Sequence, residues 1–208
     1  MTGVLPSFTS TINESIQYLA ISTIHIIGTF ILLTLNSFVF GQTIDCQRPP
    51  KLVDPATCCR DGGRDQIAEN CAIQIMGANN GQQNNGPPSM DAATCLAECI
   101  LTTSKYQQAP KQLNLAHIRN DLTMKFSNDS AFVEALTAAY AKCEPQSQRR
   151  LTVIQQMSPQ QPKCSPFAAI VLGCAYMEYF KNCPTDRWTQ STDCALAKTF
   201  VTQCGLGA

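Results

Sequence analysis

Twelve cysteines are the residues of this 208-residue chain whose type and number point most directly to chemistry. Thiols can ligate metal, act as nucleophiles or cross-link. Zinc sites use C-x2-C pairs, often with histidine. Here the tightest pairs are the vicinal Cys58-Cys59 and Cys95-x3-Cys99, and His117 is the only histidine beyond Gln42. No metal is expected. Catalysis is served no better. Cys58-Cys59-Arg60-Asp61 runs into Gly62 and Gly63 with no histidine base near it. His117 has Asp121 four residues on, the spacing of an exposed helical ion pair, and no nucleophile motif accompanies it. No catalytic residue and no cofactor are expected. Cross-linking is left, and in an oxidising compartment an even set of twelve cysteines reads as six disulfides.

Export is expected on separate grounds. Ile21 to Phe40 carries no charge, and Val39 and Gly41 stand at positions −3 and −1 of a signal-peptidase site. We therefore read residues 1–41 as a signal peptide and residues 42–208 as a single domain. An uncleaved signal anchor is the rival, because about 20 apolar residues can span a bilayer. All 15 basic residues and all acidic residues except Glu14 follow Gln42, which leaves the mature chain near neutrality. That balance excludes a basic nucleic-acid arm and a polybasic membrane anchor. An apolar content of 44% with near-zero net charge also argues against disorder.

The elements that must position the cysteines are helices. Between Asp65 and Met76, Ile67, Ala68, Cys71, Ala72 and Ile75 fall on one stripe. A polar, Gly-rich loop, Gly77 to Pro88, follows. Ser89 offers an N-cap to a helix from Met90 to about Thr103, with Cys95 and Cys99 on one face. Leu113 to Phe126 and a stretch capped by Asp129 or Ser130 continue the pattern, the second aligning Phe132, Leu136, Tyr140 and Cys143. The Gln- and Pro-rich run from Glu144 to Lys163 reads as a surface excursion. Ser165-Pro166 then opens a helix that is apolar almost all round, Phe167 to Phe180, too short to span a membrane and so expected at the centre of the core. A last helix spans about Ser191 to Gln203 and stops at Gly205. No sustained strand alternation is present, so the fold is expected to be all-α. Cys95 and Cys99 lie one turn apart and cannot easily bridge each other, so each must tie its helix to a different neighbour.

The C-x3-C of Cys95 and Cys99 on a helix resembles the Plus-C subgroup of insect odorant-binding proteins. So do the C-x8-C of Cys174 and Cys183 with Pro184 straight after it, the segment Cys46-Gln47-Arg48-Pro49-Pro50, and the pair Cys58-Cys59. The best-matched core is 71–194. The resemblance implies a compact, disulfide-stapled bundle of about six to eight helices around a hydrophobic cavity, like the pheromone- and general odorant-binding proteins. It also implies three interlocked bridges, Cys71–Cys99, Cys95–Cys174 and Cys143–Cys183. Cys46, Cys58, Cys59, Cys164, Cys194 and Cys204 are then bridged among themselves, and their 15 pairings stay open.

The function implied is an extracellular carrier of small hydrophobic or amphiphilic ligands, odorants or pheromone-like molecules, with a membrane receptor downstream. The carrier is expected as a monomer or homodimer, secreted, without nucleic acid and without membrane insertion once the signal is cleaved. Phe132, Leu136, Tyr140, Phe167, Ile170, Val171, Tyr176, Met177 and Phe180 are the candidate pocket residues, with Leu96, Ile100, Leu122 and Phe200 as a second set. Stripes at helical spacing also build ordinary cores. Tyr140 and Tyr176 stand out because a buried phenol seeks a hydrogen-bond partner. The competing function is a disulfide-rich structural or interaction protein with a filled core. A hydrolase of the secreted-phospholipase kind lacks its histidine, and a plant-type lipid-transfer scaffold lacks its C-x-C element. Asn128-Asp129-Ser130 is an N-glycosylation sequon.

Overall fold

Where apolar residues recur at helical spacing, the chain forms helices, seven of them among the described residues of a computed structural model. The structure describes residues 44–206, apart from 51–52, 64, 78–88 and 158–162. The expected signal peptide and nearly all of the Gly77–Pro88 loop lie outside the described residues.

Helix α1 (Pro55–Cys58) is a single turn, begun by Pro55 and capped by the Asp54 carboxylate, which accepts from Ala56 N–H. Helix α2 (Gln66–Gly77) starts where Asp65 accepts from the backbone N–H groups of Ile67 and Ala68 at 2.8 and 3.1 Å. Helix α3 (Met90–Thr103) is capped by Ser89, as its sequence predicts. Helix α4 (Leu115–Lys125) begins two residues later than the apolar pattern suggests. Leu113 belongs to a small antiparallel hairpin, β1 (Gln107–Ala109) and β2 (Gln112–Leu113), and Asn114 is the true cap, accepting from His117 N–H. Lys111, at φ 69, supplies the left-handed residue of that hairpin turn.

The larger departure is helix α5 (Ser130–Met157). Asp129 caps it, but the helix does not end near Glu144 as the Gln/Pro-rich composition suggests, and it passes through Pro145 to Met157. A helix-interior proline forfeits one hydrogen bond and crowds the preceding turn, at about 3 kcal/mol. Packing offsets that cost. Cys143, Ser147 and Leu151, spaced i, i+4, i+8, are all buried, and Cys143 is covalently joined to helix α6 (Pro166–Lys181). Helix α6 carries the core, with Phe167, Val171, Ala175, Tyr179 and Phe180 buried along it. It packs against α5 most extensively, then against α3 and helix α7 (Thr192–Gln203). Ser191 caps α7, and Gly205, at φ 63, ends it in the left-handed region that favours glycine. The fold is an all-α bundle stapled by disulfides.

All twelve cysteines are bonded, and two of the bridges implied by the resemblance need correction. Cys71–Cys99 is present and joins α2 to α3. Cys95 is bonded to Cys164, not Cys174, and Cys143 to Cys174, not Cys183. The physical reason is the continuation of α5, which packs along α6 and sets Cys143 opposite Cys174 at a Cα separation of 5.7 Å. Cys164, just before α6, is then the residue within reach of α3, at 5.0 Å. The interlocking order survives on a different set, Cys71, Cys95, Cys99, Cys143, Cys164 and Cys174, paired first to third, second to fifth and fourth to sixth. The other six form concentric loops, Cys46–Cys204, Cys58–Cys194 and Cys59–Cys183, which fasten the N-terminal segment to α7 and the end of α6. Cys95 and Cys99 part company, and so do the vicinal Cys58 and Cys59.

Candidate functional site

One face of α6 borders a cavity of about 720 Å³. Leu172, Ala175, Tyr176 and Tyr179, spaced i, i+3, i+4, i+7, line it. Opposite them stand Phe132, Leu136 and Tyr140 from α5, Leu122 and Phe126 at the end of α4, Ile100 from α3, and Ile67 and Ala68 from α2. The exposed lining residues Asp61, Gly62, Gly63, Asp65, Gln66 and Lys125 mark the mouth. An apolar wall with a few convergent polar groups, at this volume, is the usual constitution of a small-molecule site.

The structure places the candidate residues unevenly. Phe132, Leu136, Tyr140 and Tyr176 line the cavity, as do Ile100 and Leu122 of the second set. Phe167, Val171 and Phe180 are buried in the core away from it, Ile170 and Met177 pack against that core, and Leu96 and Phe200 do not line the cavity either. A helix that is apolar on every side gives no phase from which to read its open face. Tyr179, Phe126 and Tyr106 were missed. Tyr179 lies three residues after Tyr176, the helical spacing that would have suggested it. Trp188 sits elsewhere, bridged by backbone to Cys59 and packed near Phe180, with Lys198 over its ring at 4.9 Å.

Polar contacts hold the mouth. Arg187 donates to the carbonyls of Arg60 and Asp61 at 2.7 and 2.8 Å, and Tyr179 Oη donates to the same Arg60 carbonyl at 2.6 Å. Residues 60–61 are thereby strapped to α6. Phe126, Phe132 and Tyr179 continue the wall as successive edge-to-face pairs with centroids 4.7 and 5.4 Å apart. Across the cavity, Tyr106 Oη donates to Asp121 Oδ2 at 2.5 Å, and Lys125 Nζ lies 2.9 Å from the same carboxylate and 3.6 Å from Asp65. The i+4 partner of Asp121 is thus Lys125. His117, which the sequence pairs with Asp121, instead points Nε2 at the Ser104 carbonyl, 3.0 Å away, and this sets that nitrogen as the donor.

Burial raises the Tyr106 phenol, and the hydrogen bond to Asp121 raises it further. Burial works to raise Asp121 too, but hydrogen bonds from Tyr106 and Lys125 overcome it and hold that carboxyl below its ordinary value. Tyr140 is raised by burial, with the Asp65 charge adding to it. These phenols stay protonated at physiological pH and keep an O–H to donate. Among the described residues no group of three or more His, Cys, Asp or Glu is placed to hold a metal ion. No helix among them is long and apolar enough to cross a membrane.

Helices cross-linked by six disulfides around an apolar hollow define a class of small-molecule binding proteins. A family model described as AgamOBP47-like, an insect odorant-binding protein family, matches residues 65–200, and the chain belongs to that family. It is a family of secreted proteins that bind small hydrophobic ligands, not of enzymes. Comparison with curated proteins returns no match.

Proposed function

We propose that the protein is an extracellular carrier that takes small hydrophobic or amphiphilic molecules, odorants or pheromone-like compounds, into its cavity and delivers them to a membrane receptor without chemical change. The supporting observation is the hollow of about 720 Å³ between α2, α3, α4, α5 and α6. Ten methylenes leaving water contribute about 8 kcal/mol, at about 0.8 each. Association and ordering cost several kcal/mol of that, so affinities near the micromolar range follow. The proposal includes removal of residues 1–41, secretion of 42–208 as a monomer or homodimer, and membership of the Plus-C subgroup, which the twelve cysteines and Pro184 support.

Six cross-links are what allow such a hollow. Chain-entropy arguments assign roughly 3–5 kcal/mol to each disulfide closing loops of this length, less any strain, so the core need not be filled to be stable. Titration of the purified mature protein with an environment-sensitive hydrophobic dye is the direct test. Saturable binding at tens of micromolar or below, displaced by volatile apolar compounds, is the expected result (on the scale of). Absence of any dye or volatile binding at that concentration would favour the structural or interaction role with a filled core.

A further inference from the structure

Each phenol on the cavity wall has a hydrogen-bond status that can be read individually. Tyr106 donates to Asp121, Tyr179 donates to the Arg60 carbonyl, and Tyr176 is only half-buried, within reach of water. Tyr140 differs. It is only 7% exposed, it lines the cavity, and its hydroxyl has no hydrogen-bond partner among the described residues. Because Tyr140 lines the cavity, the cavity is the space that can hold a partner for its hydroxyl. The Tyr140 ring is held edge-on to Tyr106 at 6.0 Å, and this fixes the direction of the hydroxyl. A buried polar group left without a partner is costly, and a ligand that supplies the partner recovers that cost.

Charge narrows the partner further. Lys125 is the only cation among the described lining residues, and it is already flanked by Asp121 and Asp65. Asp61 and Asp65 at the mouth repel anions. Leu136 lies one turn before Tyr140 on α5, and Ile100 of α3 lines the same cavity.

On the carrier reading of this cavity, we propose that Tyr140 is its head-group site, and that the protein selects apolar molecules ending in one neutral oxygen acceptor, such as a ketone, aldehyde or ester. The oxygen accepts from Tyr140 Oη while the tail lies along Leu136, Ile100, Leu122 and Phe132. Hydrocarbons of the same length lack the acceptor. Carboxylates of the same length bring a charge toward Asp65 that no free cation among the described lining residues offsets.

The test displaces a bound hydrophobic dye with a methyl ketone, the hydrocarbon and the carboxylate of equal chain length at neutral pH. It uses wild-type protein and Tyr140→Phe. The ketone-to-hydrocarbon affinity ratio should fall about threefold to tenfold in Tyr140→Phe, the weight of one neutral hydrogen bond. The carboxylate should bind wild type more weakly than the ketone. Infrared spectra of the bound ketone should show a lowered carbonyl stretch in wild type that reverts in Tyr140→Phe. An unchanged ratio in Tyr140→Phe, an unshifted carbonyl in wild type, or tighter binding of the carboxylate overturns the head-group assignment and leaves the carrier standing. Failure of the dye and all three ligands to bind overturns the carrier reading instead.

Discussion

Arg187 and Asp129 form an ion pair that joins the segment before α7 to the cap of α5, with Arg187 Nε donating to Asp129 Oδ2 at 2.8 Å. The same guanidinium lies 4.3 Å from the centroid of Phe132, a cavity residue, and also holds the Arg60 and Asp61 carbonyls. One planar fork thus fixes a helix start, a cavity wall and the rim. A lysine has neither the reach nor the number of donors for all three.

Arg187→Lys is accordingly expected to destabilise the protein by about 1 kcal/mol, and Arg187→Ala by about 2, because the side chain is only 13% exposed and its loss removes the ion pair with Asp129 and the hydrogen bonds to two carbonyls. Urea denaturation of each variant measures this. Both should also weaken dye binding, since of Arg187 and Tyr179, the two side chains that hold residues 60–61, only Tyr179 then remains. A loss under about 0.5 kcal/mol, typical of an exposed pair, would show that the fork carries little weight.

Gly62 sits against Phe126 so closely that a Cβ there would lie 2.5 Å from the ring's Cζ. Gly62→Ala should therefore displace Phe126 and cost about 1–2 kcal/mol, as overpacking does. Because Phe126 lines the cavity, ligand affinity should change together with the denaturation midpoint. A variant indistinguishable from wild type in both readings contradicts this placement.

Stability should be flat from pH 7 to about 5 and fall steeply below about pH 4. Asp129 is lowered by its hydrogen bond from Arg187. Burial opposes the lowering of Asp121 and Glu178, but hydrogen bonds from Tyr106 and Lys125 prevail for the first, and from Lys142 and Lys181 for the second. A carboxyl with a depressed folded-state pKa contributes stability above its unfolded value, about 3.9 for Asp and 4.3 for Glu, and loses it as pH falls through the folded value. Glu178 matters most, being 1% exposed between its two lysines. Thermal midpoints at pH 7, 5 and 3.5 test the window. Ligand affinity should follow the same profile, with only a modest change between pH 7 and 5. A large loss there that disappears in His117→Ala would overturn it.

Peptide mapping without reduction should recover Cys95–Cys164 and Cys143–Cys174, and no Cys95–Cys174 or Cys143–Cys183 product. Intact mass should be unchanged by thiol alkylation, since no free cysteine is present. The same spectrum of secreted material reads out cleavage after Gly41 and any glycan on Asn128, which is exposed in the turn before α5. Replacing Cys143 and Cys174 together by alanine should cost about 3 kcal/mol.

The short-range features of this protein are already present in its amino-acid order. Ser89, Asp129, Ser191 and Pro166 mark helix starts because a cap engages only the first turn that follows it, and the spacing of the cysteines points to the family. The separation of Cys95 from Cys99 follows equally from helix geometry alone. What folding in three dimensions decided lies at longer range. Pro145 argues locally for a break, yet α5 continues because Cys143, Ser147 and Leu151 are buried beyond it, and burial depends on neighbours distant in sequence. That continuation brings Cys143 opposite Cys174 and so reassigns two bridges. The cavity face of α6 was undetermined for a related reason. Phe167 to Phe180 is apolar in every direction, so only the helices packed around it could determine that Tyr176 and Tyr179 face the hollow while Phe167 and Phe180 face the core.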